Sequence, residues 1–186
     1  TTGEGGMVLT NNKNLIKKIR EFKNLSFGKI DRFNHTDISW NYRLTNMQAA
    51  LGISQLKRIK GIVKKKKFIG RYYYNRLIKN KNIIIQPIKF SYAENIYWIF
   101  GILLKKNSSK YKINIQKKLK KLHIETRPFF WPMHKQNIFI KMKLFKNEKY
   151  PCSEYLSKNG FYIPAGIDLN KEQMNYICDC INKVIV

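Results

Sequence analysis

The sequence predicts a mixed α/β fold, because stretches with helical periodicity alternate with short runs of β-branched and aromatic residues. In residues 47–63 the apolar side chains recur three or four positions apart, as they do on the buried side of a helix. Residues 83–85 and 97–104 are rich in isoleucine and aromatic side chains and indicate strands. Helical spacing returns in residues 174–181. We therefore predict that the chain ends in a small α/β domain.

The first 44 residues contain one predicted strand, one predicted helix and a long loop. Residues 7–10 are a strand candidate that follows a glycine-rich opening. Asn11 or Asn12 can cap a helix, since an asparagine side chain accepts hydrogen bonds from the first turn. Residues 25–44 have no periodicity, and long ordered loops of this kind are often functional. The apolar side of the helix consists of Leu15, Ile16, Ile19 and Phe22.

A second helix is predicted from Thr45 to about Ile78. Thr45 and Gln48 have the spacing of a capping box, in which each side chain satisfies a backbone N–H of the other residue. A helix of this length commonly joins two domains. We therefore predict a first domain at residues 1–79 and a small C-terminal α/β domain at residues 80–186.

The remaining elements of the C-terminal domain follow from local signals. Residues 115–122 have helical spacing, whereas residues 127–132 are predicted to be extended because residues that precede proline avoid the helical region. Pro151 suits the first turn of a helix and Gly160 suits the end of one. Asn170 is placed to cap the last helix.

The chain is strongly basic, with 37 Lys and Arg against 11 Asp and Glu and a net charge of +26. Lysine, isoleucine and asparagine are enriched together, which indicates an AT-rich coding sequence. We therefore interpret the lysine runs at residues 64–67 and 117–121 as solvated faces and expect no specific nucleic-acid partner. A basic nucleic-acid-binding module is the alternative, and it predicts tight, sequence-selective and salt-dependent binding.

Several classes of protein are disfavoured by composition. The longest apolar run, residues 96–104, is too short to span a bilayer, and no secretory signal pattern opens the chain. Cys152, Cys178 and Cys180 are too few for a disulfide framework and lack the fourth ligand of a tetrahedral metal site. We expect free thiols, no metal and a cytoplasmic location. Because the chain starts with threonine, we also expect it to be the C-terminal piece of a longer protein.

Three stretches in a fixed order carry a resemblance to a known family. They are Thr-Thr-Gly-Glu-Gly-Gly-Met-Val at 1–8, Asn-Tyr-Arg-Leu-Thr-Asn-Met-Gln-Ala-Ala-Leu-Gly at 41–52 and Thr-Arg-Pro-Phe-Phe-Trp-Pro-Met-His-Lys-Gln at 126–136. With these stretches the whole chain resembles the DegT/DnrJ/StrS sugar aminotransferases. Within that family it is most similar to the GDP-perosamine synthase group.

The resemblance implies fold type I of the pyridoxal 5'-phosphate (PLP) enzymes, with this chain forming the end of the large domain and the small C-terminal domain. The Schiff-base lysine of the family would lie just upstream of Thr1, so this chain has no catalytic residue of its own and should be inactive alone. The resemblance also implies a homodimer with shared active sites. The glycine-rich stretch at residues 3–6 is then a supporting turn.

The resemblance assigns Asn41 to the cofactor. Its amide would donate to the phosphate of the PLP in the neighbouring subunit, and the alternative is that Asn41 caps a turn of the loop. Arg43 would bind an anionic group of the substrate, since a guanidinium forms a fork of donors. The alternative for Arg43 is a salt bridge that locks the loop.

Three residues of the third stretch are expected to bind the nucleotide-sugar substrate. Phe130 offers a flat apolar surface, Arg127 can meet a diphosphate and His134 can hydrogen-bond the hexose or the nucleotide. The alternative is that the aromatic residues belong to the core of the small domain and the cations are solvated.

The function implied by the resemblance is transfer of an amino group from L-glutamate to a nucleotide-linked 4-keto-6-deoxyhexose, for surface polysaccharide biosynthesis such as O-antigen. The alternative from a different class is a truncated, non-catalytic remnant that binds or scaffolds a partner.

Overall fold

The computed structural model describes residues 1–146 and 148–186. These residues form two compact units, 1–60 and 61–186. The predicted domain boundary after residue 79 stays a prediction. No described helix is both long enough and apolar enough to cross a membrane.

The first unit contains helix α1 (Lys13–Phe22) and the start of the long helix α2 (Asn46–Leu77). The prediction of both helices is confirmed. Asn12 caps α1 by accepting from the N–H groups of Asn14 and Leu15. The capping box ahead of α2 is also present, because the Gln48 N–H donates to the Thr45 hydroxyl and the Thr45 N–H donates to the Gln48 side chain.

The predicted strand at residues 7–10 is wrong. These residues form no regular secondary structure, and Met7, Val8 and Leu9 are exposed. A strand needs a neighbour to pair its backbone N–H and C=O groups, and β propensity alone does not provide one. In the whole first unit the only buried residue is Ser26.

The second unit is built on a four-stranded antiparallel sheet with the order β1-β2-β4-β3. Its strands are β1 (Ile83–Ile85), β2 (Phe100–Leu104), β3 (Arg127–Pro128) and β4 (Gly160–Ile163). Directly opposed residues of antiparallel strands share a face of the sheet. Phe100 opposes Ile163 and Ile102 opposes Phe161, and all four side chains are buried. This face of the sheet is the core face.

Helices complete the core of the second unit. They are α3 (Ser109–Lys121), the short α4 (Asn137–Lys141), α5 (Pro151–Asn159) and α6 (Lys171–Val184), with a 3-10 turn at Met133–Lys135. The second half of α2 buries Ile69, Tyr73 and Leu77, which lie four residues apart on one side of the helix. Asn170 forms the predicted capping box of α6. Pro151 starts α5 and Gly160 follows its end, as predicted.

Two predicted boundaries are wrong for identifiable reasons. Residues 97–99 are not part of β2, because Tyr97 has a left-handed backbone (φ 53°) and its N–H bonds to the Asn95 side chain in a turn. Helix α3 starts six residues before the predicted residue 115, because Ser108 caps it by accepting from the Tyr111 N–H. The periodicity of apolar residues did not extend to this polar first turn.

Candidate functional site

The segment around Asn41 is extended and places its side chains on two alternating sides. Its backbone is held by the first unit, since the Tyr42 N–H donates to the Lys23 carbonyl over 2.8 Å and the Trp40 N–H donates to the Phe22 carbonyl over 3.0 Å. The rings of Trp40 and Tyr42 stack 5.9 Å apart with an angle of 7°. Side chains of an extended segment alternate, so Asn41 shares the other side with Arg43.

Asn41 and Arg43 are in direct contact. The Arg43 Nε donates to the Asn41 Oδ1 over 2.8 Å, and both residues are exposed. The oxygen of the Asn41 amide therefore accepts from Arg43, and the Nδ2 group of Asn41 remains as a donor. The pair presents amide and guanidinium N–H groups together, which suits an anion such as a phosphate or a carboxylate. The predicted salt-bridge alternative for Arg43 is replaced by this bond to a neutral amide.

The glycine-rich opening lies against the first turn of α2. Gln48 Nε2 donates to the Glu4 carbonyl over 3.1 Å, and the Thr2 hydroxyl donates to the same carbonyl over 2.9 Å. A methyl group placed on Gly52 would lie 3.2 Å from the Thr2 side chain. Thus the first two stretches of the resemblance, which are far apart in the chain, contact each other within the first unit.

The third stretch is anchored on the outer face of the sheet by Phe129. The Phe129 N–H donates to the Gly160 carbonyl over 3.2 Å. A Cβ atom built on Gly101 or on Gly160 would lie 2.8 Å or 2.4 Å from atoms of the Phe129 ring. Real Cβ atoms do not approach so closely, so the ring occupies space that only two glycines on adjacent strands leave open.

The next two aromatic residues point away from the protein. Phe130 is 70% exposed and Trp131 is 62% exposed, so the alternative that the aromatic residues belong to the core of the small domain is wrong for these two. The indole is nevertheless fixed, because its Nε1 donates to the Lys135 carbonyl over 2.8 Å. Arg127 on β3 is also exposed. The segment thus presents two flat rings and a guanidinium from a firmly held backbone.

His134 and Lys135 both bind one carboxylate, which the sequence reasoning missed. The Nε2 of His134 lies 2.9 Å from Glu154 Oε1, and the Nζ of Lys135 lies 2.6 Å from Glu154 Oε2. The His134 ring also packs against the Tyr150 ring, 4.9 Å away, and its side chain is only 7% exposed. The hydrogen bonds from Lys135 and His134 lower the pKa of Glu154. Acidic residues are scarce in this chain, and that scarcity is the one sequence signal that marks Glu154.

Cys178 and Lys112 are buried in the second unit. Cys178 is buried, as predicted, and burial raises its pKa to about 11. Among the described residues no group of three or more His, Cys, Asp or Glu side chains can hold a metal ion. Lys112 is buried and donates to the Ser157 carbonyl over 2.6 Å, at the end of α5.

The first unit also has an open groove of about 580 Å³ along α1. None of the predicted site residues lines it, and its walls combine three cations with apolar side chains. Its lining residues are Lys13, Ile16, Lys17, Arg20, Glu21, Asn24 and Phe27.

Comparison with known proteins identifies the family. Residues 1–182 match the model of the DegT/DnrJ/EryC1/StrS aminotransferase family. The chain belongs to this family. A GDP-perosamine synthase from Escherichia coli O157:H7 is 34% identical over 98% of this chain and 48% of its own length. A GDP-perosamine synthase from Vibrio cholerae is 32% identical over 97% of this chain and 48% of its own length. The chain therefore spans about half the length of the curated relatives it matches.

A solved structure confirms the predicted fold class. Helicobacter pylori PseC, an aminotransferase involved in the biosynthesis of pseudoaminic acid, superimposes with a TM-score of 0.86 and is 24% identical. The alignment covers 100% of this chain and 50% of that protein. The fold is thus fold type I, and PLP is the cofactor of this aminotransferase family.

The residues of the first unit fit one part of this cofactor. PLP carries a phosphate group, and the exposed Asn41 and Arg43 side chains present donors of the kind that bind phosphate. The backbone on both sides of Asn41 is hydrogen-bonded to the carbonyls of Phe22 and Lys23. The pair of Asn41 and Arg43 can therefore bind an anion with little rearrangement.

Proposed function

We propose that this chain is the C-terminal half of a PLP-dependent aminotransferase that moves an amino group from L-glutamate to a nucleotide-linked 4-keto-6-deoxyhexose. The observation that carries the proposal is the family match over residues 1–182, together with GDP-perosamine synthases among the relatives. GDP is accordingly the preferred nucleotide, and the product is an amino sugar for surface polysaccharide.

Asn41 and Arg43 act at the anionic part of the site. When bound, PLP supplies the electron sink that lets an amino group move between carbon skeletons. Asn41 donates from Nδ2 to the cofactor phosphate, in the active site of the partner subunit of a homodimer. Arg43 holds the amide of Asn41 and directs its remaining N–H groups to the carboxylate of glutamate or to a phosphate oxygen. This division of roles is supported by the 2.8 Å bond between the two side chains.

Arg127, Phe130 and His134 bind the nucleotide sugar. The exposed ring of Phe130 offers stacking area, and the exposed guanidinium of Arg127 suits the diphosphate. The Nε2 of His134 is hydrogen-bonded to Glu154, so the Nδ1 side of the ring is the part that binds the sugar. The anchored backbone of this segment supports the proposal, because a site held in place loses little entropy when the substrate binds.

The test uses the longest natural protein that contains this chain, with PLP added. We expect a visible absorbance band that disappears on addition of L-glutamate, followed by amination of GDP-linked 4-keto-6-deoxymannose. UDP- and dTDP-linked 4-keto sugars are the matched alternatives, and a preference for either of them would contradict the choice of GDP. A folded protein that includes the upstream lysine but shows no band would overturn the proposal.

The same protein tests the second candidate, a non-catalytic remnant. The observation that favours it is that the chain spans about half of its relatives. If the natural gene product has no segment upstream of Thr1 and binds no PLP, the remnant is the correct description. Light scattering of the natural protein tests the proposed homodimer, and cell fractionation tests the proposed cytoplasmic location.

A further inference from the structure

Glu154 joins His134 and Lys135, two consecutive residues of the proposed substrate segment (residues 126–136), to helix α5. Each of its carboxylate oxygens has one partner: Oε1 lies 2.9 Å from His134 Nε2 and Oε2 lies 2.6 Å from Lys135 Nζ. Glu154 lies in the first turn of α5, whereas His134 and Lys135 lie in the 3-10 turn. Because each carboxylate oxygen binds a different side chain, the carboxylate orients both of them.

The charge of Glu154 determines which nitrogen of His134 carries a proton. The pKa of Glu154 lies below its ordinary value because Lys135 and His134 donate to it. An ionised carboxylate only accepts hydrogen bonds, so Nε2 of His134 must be the protonated nitrogen. In the neutral imidazole Nδ1 is then an acceptor. The side chain is 7% exposed, and packing against Tyr150 prevents the ring from turning freely.

We propose that Glu154 is a positioning residue that fixes His134 in the tautomer protonated on Nε2, so that Nδ1 accepts a hydrogen bond from a hydroxyl group of the sugar. This inference rests on the proposed function and makes it more specific. A hexose carries hydroxyl donors, whereas a diphosphate carries only acceptors near neutral pH. His134 therefore recognises the sugar, and the diphosphate is left to Arg127.

Substitution Glu154→Gln tests which ring nitrogen of His134 carries the proton, and it hardly changes the shape of the side chain at position 154. The amide oxygen can still accept from Lys135, while the amide NH₂ group can donate to His134 Nε2. The other tautomer, with the proton on Nδ1, is then favoured, so Nδ1 no longer accepts from the sugar. A sugar hydroxyl that donated to Nδ1 must turn round to keep a bond and gives up its other partner. We expect the KM for the nucleotide sugar to rise about tenfold, the loss expected for one hydrogen bond in a charged network. The glutamate half-reaction should be unchanged.

Two further measurements separate positioning from simple stabilisation. Long-range proton–nitrogen spectra of the full-length protein, labelled with ¹⁵N-histidine and assigned with His134→Gln, report which ring nitrogen is protonated. We expect Nε2 in the wild type and Nδ1 in Glu154→Gln. Glu94→Gln is the matched control, because Glu94 also binds two cations, Lys67 and Arg71, and its side chain is 40% exposed against 34% for Glu154. This control should change neither the sugar KM nor the spectrum of His134.

Each other outcome contradicts the inference. Protonation of His134 Nδ1 in the wild type, alone or together with Nε2, would overturn it. So would an unchanged sugar KM in Glu154→Gln, or an equal loss in both half-reactions together with a lower unfolding temperature, which would make Glu154 a purely structural clamp. If the wild type aminates no nucleotide sugar, the proposed function fails, and the spectra still decide the tautomer.

Discussion

The Nε of Arg43 donates a hydrogen bond to the Oδ1 of Asn41 over 2.8 Å. The two residues are separated by one position in an extended segment, so this bond fixes the direction of the amide without help from distant parts of the chain. The amide nitrogen is thereby kept as a donor. The orientation of the side chain that is proposed to meet the cofactor is thus set by its own neighbour.

Replacing Asn41 by alanine in the full-length protein should weaken PLP binding about tenfold, because one hydrogen bond to a charged phosphate is lost. Asn41→Asp should be worse than Asn41→Ala, since it keeps the acceptor for Arg43 but turns a negative charge towards the phosphate. Fluorescence titration of the cofactor-free protein measures both dissociation constants. Equal cofactor affinity in all three proteins would contradict the phosphate role. Unfolding temperatures provide the control, and they should hardly change because Asn41 is exposed.

Gly160→Ala should destabilise the protein by about 1–3 kcal/mol, the usual cost of extra atoms in a packed site. The added methyl group would collide with the Phe129 ring and with the Leu156 carbonyl, at 2.4 and 2.6 Å. Gly101→Ala should lower the free energy of unfolding less in a Phe129→Leu background than in the wild type. The reason is that Phe129 alone lies within 3.4 Å of the new atom. Gly166→Ala is the matched control, because nothing lies within 4 Å of its added atom. Urea unfolding measures all of these variants, including Phe129→Leu alone, and equal stability of Gly160→Ala and Gly166→Ala would refute the anchoring of Phe129.

The buried amine of Lys112 should make stability depend on pH in the alkaline range. Burial lowers the pKa of Lys112 below its ordinary value of 10.5. Between the lowered pKa and 10.5 the unfolded chain binds more protons than the folded chain, so the free energy of unfolding rises with pH. This contribution is complete above 10.5 and is lost as the pH falls through the folded pKa.

The measurement is urea unfolding at several alkaline pH values for the wild type and for Lys112→Met. We expect the stability of the wild type relative to the variant to increase with pH. Lys110→Met, which removes an exposed lysine of the same helix, should follow the wild type at every pH. Parallel curves for the wild type and Lys112→Met would show that burial does not perturb this amine.

The cysteines should differ strongly in alkylation. Cys152 is exposed, whereas burial raises the pKa of Cys178 from 9.0 to about 11. Only the thiolate reacts, so Cys178 should react with iodoacetamide about a hundredfold or more slowly in the native protein than in denaturant. Peptide mapping by mass spectrometry follows each cysteine separately. Fast native labelling of Cys178 would show that the last helix opens.

The features that could be predicted from the sequence depend on residues close together in the chain. Asn12, Thr45 and Asn170 cap their helices through bonds to residues two or three positions away, so their spacing alone is sufficient. The strand expected at residues 7–10 failed because pairing needs a partner that propensity does not supply. Tyr97 lies outside the strand predicted for it because the side chain of Asn95 stabilises a turn there.

The candidate site also combines contacts between neighbouring residues with contacts between residues far apart in the chain. The family resemblance selected Asn41 and Arg43, whose roles stay predictions, and the structure adds that they bind each other across one residue. Neither the resemblance nor the motif spacing revealed Glu154, which lies 20 positions from His134 and reaches it only after α5 has packed. The two glycines beneath Phe129 are 59 positions apart in the sequence and become neighbours only through the register of β2 and β4. Long-range pairing of this kind is a property of the assembled sheet.

The anchoring of the proposed substrate segment separates two requirements that usually conflict, a rigid backbone and exposed apolar side chains. Phe129 in its glycine niche and Glu154 on α5 hold the backbone, while Phe130 and Trp131 extend into solvent with no role in the core. A change at Phe130 therefore alters what the segment presents to solvent without loosening the scaffold, whereas a change at Trp131 also removes its bond to the Lys135 carbonyl. Under the proposed function, residue 130 is consequently the position at which to diversify this protein for a different nucleotide sugar.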